Sequence, residues 1–420
     1  MEFISTRGKS PIVSASVAIR TGLAPDGGLY VPKTFPKIEI SEIYKTDYPG
    51  FAAEIIQPFF EGDPLYNDIP EICREAFSFD VPFHWLNDEQ AVLELFHGPT
   101  AAFKDFGARF LASVMERLQK GKDRDLTVLV ATSGDTGSAV ASAFHNKQGI
   151  KVKVLYPEGR VSKRQKKQLT CWDNNILSYC VTGNFDDCQK MVKAAFQSKV
   201  LSREWDLSSA NSINLGRLLP QIVYFYYSSL LFLEKTGKKP VVIVPSGNVG
   251  NSTGAYWALE LGAPVEKIVL AVNANKTIPE FIESGNYKPR PSIATIANAM
   301  DVGDPSNMER LRHLFPDSKL ISKNLEAVSV TDDFIRDTIK KVYSTYNYIM
   351  CPHTAAAEWV RQNLFPHAPG IVVSTAHPAK FETVVEPEIG KSIEIPHALN
   401  KMMEIESVFN RIEPDLNQLF

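Results

Sequence analysis

The fold is indicated by ten residues, His97-Gly98-Pro99-Thr100-Ala101-Ala102-Phe103-Lys104-Asp105-Phe106. The apolar residues 91–96 that precede them are typical of a short buried strand. After them, apolar residues recur at helical spacing as far as Leu118. The ten residues therefore lie where a strand turns into a helix, and joints of this kind carry functional sites in α/β proteins.

Lys104 is the candidate chemical centre of this stretch. Gly98 and Pro99 favour a turn before it, and Phe103 and Phe106 offer apolar walls that disfavour a charged amine. A lysine with a lowered pKa can form imines with carbonyl compounds. Taken alone, the ten residues allow an alternative, which is an ordinary surface lysine in the first turn of a helix.

Strand-like and helix-like stretches alternate from residue 91 onward. The predicted strands are Leu126 to Thr132, Val152 to Tyr156, Ile176 to Val181, Val241 to Val244, Ile268 to Val272 and Ile371 to Thr375. The predicted helices include Asp186 to Ser198, Gly216 to Lys235 and Asp332 to Tyr346. This alternation predicts an α/β fold in which twisted parallel sheets are flanked by helices.

The length of 420 residues predicts more than one domain. The N-terminal part differs from the rest, because turn clusters such as residues 24–28 interrupt short apolar pieces. We therefore expect a small N-terminal domain over 1–82, a large domain over 83–128 and 215–420, and a small inserted α/β domain over 129–214.

Composition and charge narrow the class of partner and the compartment. The net charge of −3 gives no general attraction to nucleic acid or membranes, which leaves small molecules as the expected partners. The five cysteines are widely spaced and include no C-x-x-C pair, so neither a disulfide framework nor a zinc site is indicated. The apolar run 222–233 is too short to span a bilayer. We expect a cytoplasmic protein without a metal site.

A glycine-rich turn follows the predicted strand Leu126 to Thr132 and opens a helix. It contains Ser133, Gly134, Asp135 and Thr136. Free backbone N–H groups at the start of a helix can bind a carboxylate or a phosphate. The alternative is an ordinary turn in which Ser133 or Thr136 caps the helix.

A second glycine-rich turn follows the predicted strand Val241 to Val244. It reads Gly247-Asn248-Val249-Gly250-Asn251. Glycines let the backbone approach a phosphate closely, and asparagines add donors without adding charge. This turn is the second candidate anion site.

The same loop also fits the G-x-S-x-G pattern of hydrolases, with Ser252 as the nucleophile. An acid, Asp301 or Asp304, and then a histidine, His353 or His377, follow in the order that such a triad can take. However, hydrolases place this serine directly at the strand end, whereas Ser252 comes several residues later. The spacing therefore disfavours the hydrolase alternative.

The strongest cationic run is 160–167, in which Ser162 and Lys163 are the candidate anion contacts. Such runs are more often a solvated helix face. Further along, Asn214 precedes a long apolar helix and Arg217 lies in its first turn. Arginine suits bidentate contact with phosphate oxygens, whereas Asn214 could simply cap the helix.

These segments together resemble the threonine synthases, pyridoxal-phosphate enzymes of fold type II, which is the tryptophan synthase β-like fold. The ten residues around Lys104 resemble their lysine motif, and residues 22–32 and 374–381 resemble two further segments of the family. The family typically has Leu where this chain has Ala101, and often Phe where it has Val249. Neither difference changes the lysine or a backbone contact.

The resemblance implies that Lys104 binds pyridoxal 5'-phosphate as an imine and then acts as the catalytic base. It implies that the turn from Gly247 to Asn251 cradles the cofactor phosphate and that Asp135 lies at the cofactor. It also places Thr375 at the pyridine nitrogen. The residues it assigns to the substrate are Ser133, Gly134, Thr136, Ser162, Lys163, Asn214 and Arg217.

The implied reaction converts O-phospho-L-homoserine and water into L-threonine and phosphate, the last step of threonine biosynthesis, and makes the enzyme a lyase. One alternative is a related lyase or dehydratase that acts on serine or threonine and needs no phosphate pocket. Another is a non-catalytic relative that binds pyridoxal phosphate or a metabolite. For the assembly we expect a monomer or a homodimer.

Overall fold

Thirteen strands form three sheets in the computed structural model, which describes residues 1–38, 46–132, 134–159 and 161–420. Ser133 and Arg160 therefore lie outside the described residues. The strands are β1 (Phe3–Ser5), β2 (Tyr30–Pro32), β3 (Phe83–Asn87), β4 (Gln90–Glu94), β5 (Leu126–Ala131), β6 (Ile150–Pro157), β7 (Ile176–Val181), β8 (Asp206–Ser209), β9 (Val241–Pro245), β10 (Lys267–Val272), β11 (Glu326–Ser329), β12 (Gly370–Ser374) and β13 (Asn410–Ile412).

Helices fill most of the intervals between these strands. In the described residues they are α1 (Ala15–Thr21), α2 (Tyr48–Ile56), α3 (Ile69–Ala76), α4 (Lys104–Gln119), α5 (Asp135–Phe144), α6 (Lys163–Thr170), α7 (Phe185–Gln197), α8 (Leu201–Glu204), α9 (Leu215–Thr236), α10 (Gly250–Glu260), α11 (Thr277–Ser284), α12 (Met308–Leu314), α13 (Ser318–Asn324), α14 (Asp332–Tyr346), α15 (Pro352–Leu364), α16 (Glu382–Ile389) and α17 (His397–Glu404). Short 3-10 helices cover Gln57–Phe60, Tyr66–Asp68, Asn298–Met300, Pro378–Phe381 and Leu416–Gln418.

The larger sheet has the strand order β11-β10-β9-β12-β4-β3. Only β3 runs antiparallel, as a hairpin with β4. Alternate residues of β9 enter two different cores, because successive side chains of a strand point to opposite faces. Val242 and Val244 pack with α4, α9 and α10, whereas Val241 and Ile243 pack with α14 and α15. Both faces are therefore covered, which explains why this strand reads as a continuous apolar run.

The smaller sheet is fully parallel and has the order β13-β7-β6-β5-β8. Its edge strand β13 comes from the C-terminal end of the chain and pairs with β7. β5 belongs to the same sheet and begins at Leu126. Two strands, β5 in part and β13 entirely, therefore lie outside the expected span 129–214. The domain borders themselves stay a prediction.

The N-terminal part pairs β1 with β2 in an antiparallel ribbon and adds three short helices. Its buried side chains share one hydrophobic core with α4 and α9. Tyr48 on α2, for example, meets Phe106 on α4 edge to face, with ring centroids 5.9 Å apart. The segment is therefore packed directly behind the helix that begins at Lys104.

The parallel arrangement brings the candidate residues together. β9, β12 and β4 are neighbours, and the carboxyl ends of parallel strands meet at one edge of a sheet. Lys104, Thr375 and the turn Gly247 to Asn251 follow these three strand ends. The predicted α/β fold with parallel sheets flanked by helices is confirmed. Among the described residues, no helix is long and apolar enough to cross a membrane.

Candidate cofactor-binding active site

The loop that carries Lys104 is joined to the loop that follows β12. The Phe103 N–H donates to the Thr375 carbonyl at 2.9 Å, and the His377 N–H donates to the Ala101 carbonyl at 3.0 Å. These two bonds fix the start of α4 against the end of β12. Lys104 and Thr375 are therefore neighbours because of backbone pairing, before any side chain is considered.

A buried carboxylate holds the same loop from inside. The two oxygens of Asp105 accept hydrogen bonds from the Thr100 N–H at 2.8 Å and from its hydroxyl at 2.6 Å. A Cβ on Gly98 would lie 2.5 Å from Asp105, so only glycine fits there. Ala101 adopts a φ of 54°, a left-handed conformation that costs free energy for an L-residue. Strain of this kind concentrates at functional sites.

Lys104 lines a cavity of about 330 Å³ and is half-buried. Burial lowers the pKa of its amine to about 8, Asp135 opposes this shift, and Lys380 and Arg217 add to it. A larger fraction of the amine than in an ordinary lysine is therefore neutral and nucleophilic near neutral pH. Lys104 is not an ordinary surface lysine.

The second glycine-rich turn forms one wall of this cavity. A Cβ on Gly247 would lie 2.7 Å from the Met300 Cα, so the turn approaches another backbone closely. Val249 is buried at a φ of 61°, a conformation that is a genuine outlier for a β-branched residue. The Asn248 side chain holds this shape, because it donates to the Ser212 hydroxyl at 2.6 Å and accepts from the Ser306 N–H at 2.6 Å.

This strained turn leaves its donors free. None of the backbone amides from Gly247 to Asn251 donates to an acceptor in the described part of the chain. The Asn251 carbonyl oxygen accepts from the Tyr224 hydroxyl at 2.6 Å, while its buried amide nitrogen has no described partner. The first turn of α10 contains no acidic residue. The turn is therefore a cradle of donors for an anion.

The first glycine-rich turn lies at the end of β5, across the cavity. The Thr132 hydroxyl accepts from the N–H groups of Gly134 and Gly137 at 3.0 and 2.9 Å and so shapes this turn. Asp135, the first residue of α5, and Thr136 both line the cavity. The pKa of Asp135 is held well below its usual range by Lys380 and Lys104, despite burial. Ser133 belongs to this turn but lies outside the described residues.

Thr375 and His353 complete the wall beside Lys104. The Thr375 hydroxyl has no hydrogen-bond partner among the described residues, so it is available to a ligand. His353 accepts from the Ala299 N–H at 3.1 Å through Nε2, and burial lowers its pKa to about 4. His353 is therefore neutral at pH 7 and positions the 3-10 helix Asn298–Met300 against the cavity.

Of the two candidates at α9, only Arg217 lines the cavity. Its guanidinium donates to the Ala210 carbonyl at 2.7 Å, while its buried Nε has no described partner. Burial lowers its pKa to about 10, so it remains a cation at pH 7. Asn214 instead caps α9: it accepts from the Gly216 N–H and donates to the carbonyls of Ile19 and Ser209, all at 2.9 Å. No amide hydrogen of Asn214 is left for a substrate.

Ser162 and Lys163 do not line the cavity. Ser162 is the N-cap of α6 and forms a reciprocal capping box with Gln165. Lys163, the first residue of that helix, is exposed. Residues 163–167 of the cationic run thus lie on a helix, as the sequence also allowed. A substrate contact by these two residues stays a prediction.

The hydrolase alternative is not supported by the geometry. Ser252 is fully buried inside α10, and its hydroxyl shares a hydrogen bond with the Ser246 hydroxyl. The two candidate histidines bind elsewhere, since His353 accepts from Ala299 and His377 accepts from Ala379. Among the described residues, no triad forms around Ser252.

Sequence reasoning assigned no role to Lys380, a buried lysine whose amine lies 2.8 Å from an Asp135 carboxylate oxygen. It also missed Thr132, and it considered His353 only as a member of a triad. The segment 374–381 did contain Lys380 as part of the family likeness. Its burial could not be foreseen, because it depends on contacts with residues more than two hundred positions away.

Three family models match consecutive parts of the chain. They are described as threonine synthase N terminus over residues 2–77, pyridoxal-phosphate dependent enzyme over 91–360, and threonine synthase, C-terminal over 352–419. The chain is also 38% identical to the threonine synthase of Buchnera aphidicola subsp. Schizaphis graminum, over 100% of this chain and 98% of that relative. The chain belongs to the threonine synthase family.

Solved structures of the family have the same fold. The Escherichia coli threonine synthase matches with a TM-score of 0.92 and 36% identity, covering 99% of this chain and 98% of that one. The pyridoxal-phosphate-bound enzyme of Brucella melitensis matches with a TM-score of 0.91 and 33% identity, covering 100% and 97%. These likenesses confirm fold type II and pyridoxal phosphate as the cofactor.

The polar groups of the residues that line the cavity suit this cofactor. Four buried polar atoms without described partners belong to residues that line it: Asn211 Oδ1, Arg217 Nε, Asn251 Nδ2 and Asn298 Oδ1. Buried polar groups are almost always hydrogen-bonded, so such a cluster indicates a polar ligand. Free amides for a phosphate, a free hydroxyl for a ring nitrogen and an amine for an aldehyde are all present.

Proposed function

We propose that this protein converts O-phospho-L-homoserine and water into L-threonine and phosphate as a threonine synthase. The observation that carries the proposal is that the half-buried amine of Lys104 and the donor cradle from Gly247 to Asn251 face one cavity. A second cation, Arg217, reaches the same cavity and can receive the phosphate of the substrate. A site with two anion contacts beside one reactive amine matches a phosphorylated amino acid handled by pyridoxal phosphate.

The residues that would hold the cofactor follow from their free groups. The amides of the turn from Gly247 to Asn251 would bind its phosphate, Lys104 its aldehyde carbon and the Thr375 hydroxyl its ring nitrogen. Because a hydroxyl is neutral, it does not hold that nitrogen protonated in the way that a carboxylate does. When bound, pyridoxal phosphate supplies the electron sink for charge that develops next to the amino-acid nitrogen.

Lys104 then serves as the base and acid of the reaction. Its amine, once released, can take protons from Cα and Cβ of the substrate as the Cγ–O bond to the phosphate breaks. It can return a proton at Cγ and, after water has added at Cβ, another at Cα. A pKa of about 8 suits both directions, because efficient proton transfer needs a group poised near the working pH.

Arg217 orients the substrate through its phosphate, which leaves as inorganic phosphate. Its buried Nε has no hydrogen-bond partner among the described residues, which leaves one donor for a ligand. We keep the first glycine-rich turn, with Ser133, Gly134 and Thr136, as the predicted contact of the substrate carboxylate. Thr136 of this turn lines the cavity.

The test is to record the visible spectrum of the purified protein with pyridoxal phosphate, and then phosphate and threonine formation from O-phospho-L-homoserine. A lysine-dependent absorption band and release of both products are expected. The Lys104→Ala variant should lose the band and the turnover, whereas Lys122→Ala, a change at an exposed lysine, should keep both.

Two outcomes would redirect the proposal. A band with turnover of serine or threonine, but none of the phosphorylated substrate, would identify a dehydratase. A band without any turnover would identify a binding protein of the same fold.

Location and assembly are the remaining parts of the proposal. All five cysteines are unpaired and buried, which supports the reducing, cytoplasmic location expected from their spacing. A monomer or a homodimer, without a nucleic-acid partner, is retained. Light scattering after size-exclusion chromatography tests the assembly.

A further inference from the structure

A fully buried lysine, Lys380, pairs with Asp135 but does not line the cavity. Lys380 is on the 3-10 helix Pro378–Phe381 and its side chain is 0% exposed. Its amine lies 2.8 Å from an Asp135 carboxylate oxygen and donates to the Thr100 carbonyl at 2.8 Å. A buried charge of this kind persists in a protein only when it is paired and hydrogen-bonded.

Helix α6 contacts the carboxylate of this ion pair and the Thr100 carbonyl that Lys380 also binds. The Gln165 side chain donates to the Asp135 oxygen that Lys380 contacts, at 3.2 Å. The Gln168 side chain donates to the Thr100 carbonyl at 3.1 Å. The arrangement therefore joins the smaller sheet, which carries Asp135, to the loop that carries Lys104, and the carboxylate has little freedom to move.

Asp135 interacts electrostatically with two amines, those of Lys380 and Lys104. Lys380 does not line the cavity, whereas Asp135 and Lys104 do. Lys380 makes the largest favourable contribution to the ionised state of Asp135, and Lys104 makes the next. If Lys380 were neutral, Lys104 would be the main cation left to balance this carboxylate. Such a salt bridge would keep Lys104 protonated and unable to attack an aldehyde.

We propose that Lys380 is a positioning residue, which holds the Asp135 carboxylate in a buried ion pair so that the amine of Lys104 stays free for the cofactor. This inference rests on the proposed role of Lys104 as the cofactor-binding amine. It assigns a chemical reason to a residue that touches neither the cavity nor a ligand.

Other charged groups face Lys104 from the surrounding elements, and they set the baseline for the test. Arg217 on α9 lowers the pKa of Lys104, as Lys380 does. His353 on α15 is neutral at pH 7, because burial lowers its pKa to about 4. Asp105 on α4 has a pKa that burial raises, and both of its oxygens are bound by Thr100. None of these groups changes in the variants below.

The experiment measures the basicity of Lys104 directly. The full chain, freed of cofactor, is labelled with a trace of acetic anhydride at a series of pH values, and mass spectrometry quantifies acetylation at Lys104. Exposed Lys122 in the same sample is the internal standard. No substrate is involved, so failure of the proposed reaction and failure of this inference are distinguishable.

Three variants are expected to shift the pKa of Lys104 in different ways. Lys380→Met should raise the pKa of Lys104 by roughly one unit, which lowers its labelling at pH 7 about tenfold. Asp135→Asn should lower the pKa, because the opposing carboxylate is gone. The double variant, with both charges removed, should return the labelling curve to within about twofold of the original, as expected for two residues that act as one pair.

A Lys380→Met protein that is folded by circular dichroism and labels like the original would overturn the proposal and leave Lys380 a purely structural residue. If Lys380→Met does not fold, Asp135→Asn decides alone. Unchanged or weaker labelling of Lys104 in Asp135→Asn then contradicts the inference.

Discussion

The two glycine-rich turns face the same cavity, but only the first places a charged side chain beside it. The helix after the first turn begins with Asp135, whereas the first turn of the helix after the second contains no acid. An anion at a helix N-terminus is favourable, and in the first turn the chain supplies that anion itself. A doubly charged phosphate is therefore expected to favour the second turn over the first. Glycine spacing thus predicts two candidate anion-binding turns, and one side chain distinguishes the turn that suits a phosphate.

The two turns also differ in what holds their shape. The first is shaped by the Thr132 hydroxyl, with its carboxylate fixed by Gln165 and Lys380. The second is shaped by the Asn248 side chain and by the strained backbone of Val249. In the first turn polar side chains restrain a charge, and in the second they expose a row of backbone donors.

The difference between the two turns can be removed by adding a carboxylate to the second turn. Asn251→Asp keeps the acceptor for the Tyr224 hydroxyl but adds a carboxylate beside the expected phosphate. We expect the affinity for pyridoxal phosphate to fall about 100-fold or more, because like charges placed together cost several kcal/mol and about 1.4 kcal/mol is tenfold. Fluorescence titration of the cofactor measures this.

Asn251→Ala is the matched control, since it removes the amide without adding charge. Its affinity should fall by about tenfold at most, as expected for loss of a single hydrogen-bonding group. Equal losses in the two variants would show that charge is not what distinguishes the turns.

A smaller effect is expected at Arg217, a cation that lines the same cavity. Arg217→Lys keeps the charge but loses the planar fork, so KM for O-phospho-L-homoserine should rise roughly tenfold while cofactor affinity is unchanged. Lys163→Ala is the comparison, because that exposed residue lies outside the cavity, and its KM should change less than about twofold. Steady-state kinetics would contradict this assignment if the two variants exchanged their effects.

The smallest effect is expected from Ser252→Ala, inside the helix that follows the second turn. The variant loses the hydrogen bond with Ser246, so the free energy of unfolding should fall by about 1 kcal/mol. Turnover should be kept, because the hydroxyl is buried and does not line the cavity. Urea denaturation and a product assay check the two parts, and loss of turnover in a stable variant would revive Ser252 as a functional residue.

The strands that the sequence predicts are those that are buried on both faces. β5, β6, β7, β9, β10 and β12 read as apolar runs and were recognisable as such. The strands β8, β11 and β13 have three or four residues each and include polar side chains, so their conformation comes from pairing with a neighbour. Local pattern carries no signal for a strand that tertiary contacts create.

The site follows the same rule. Lys104, Thr375 and the second turn belong to ordered local motifs and could be predicted to lie together from the parallel topology. Lys380 and His353 could not be assigned, because their roles depend on contacts with residues that are distant in the sequence. Conversely, Asn214 matched a motif, but its side-chain oxygen caps α9 and its side-chain amide hydrogens bind the carbonyls of Ile19 and Ser209.

The measurement that tests the account most directly is borohydride reduction of the protein with bound pyridoxal phosphate, followed by peptide mass spectrometry. Reduction converts the imine into a stable bond and marks the lysine that held the cofactor. The account predicts the pyridoxyl group on Lys104, with Lys380 unmodified. A label on Lys380 or on a surface lysine, with Lys104 unmodified, would contradict it.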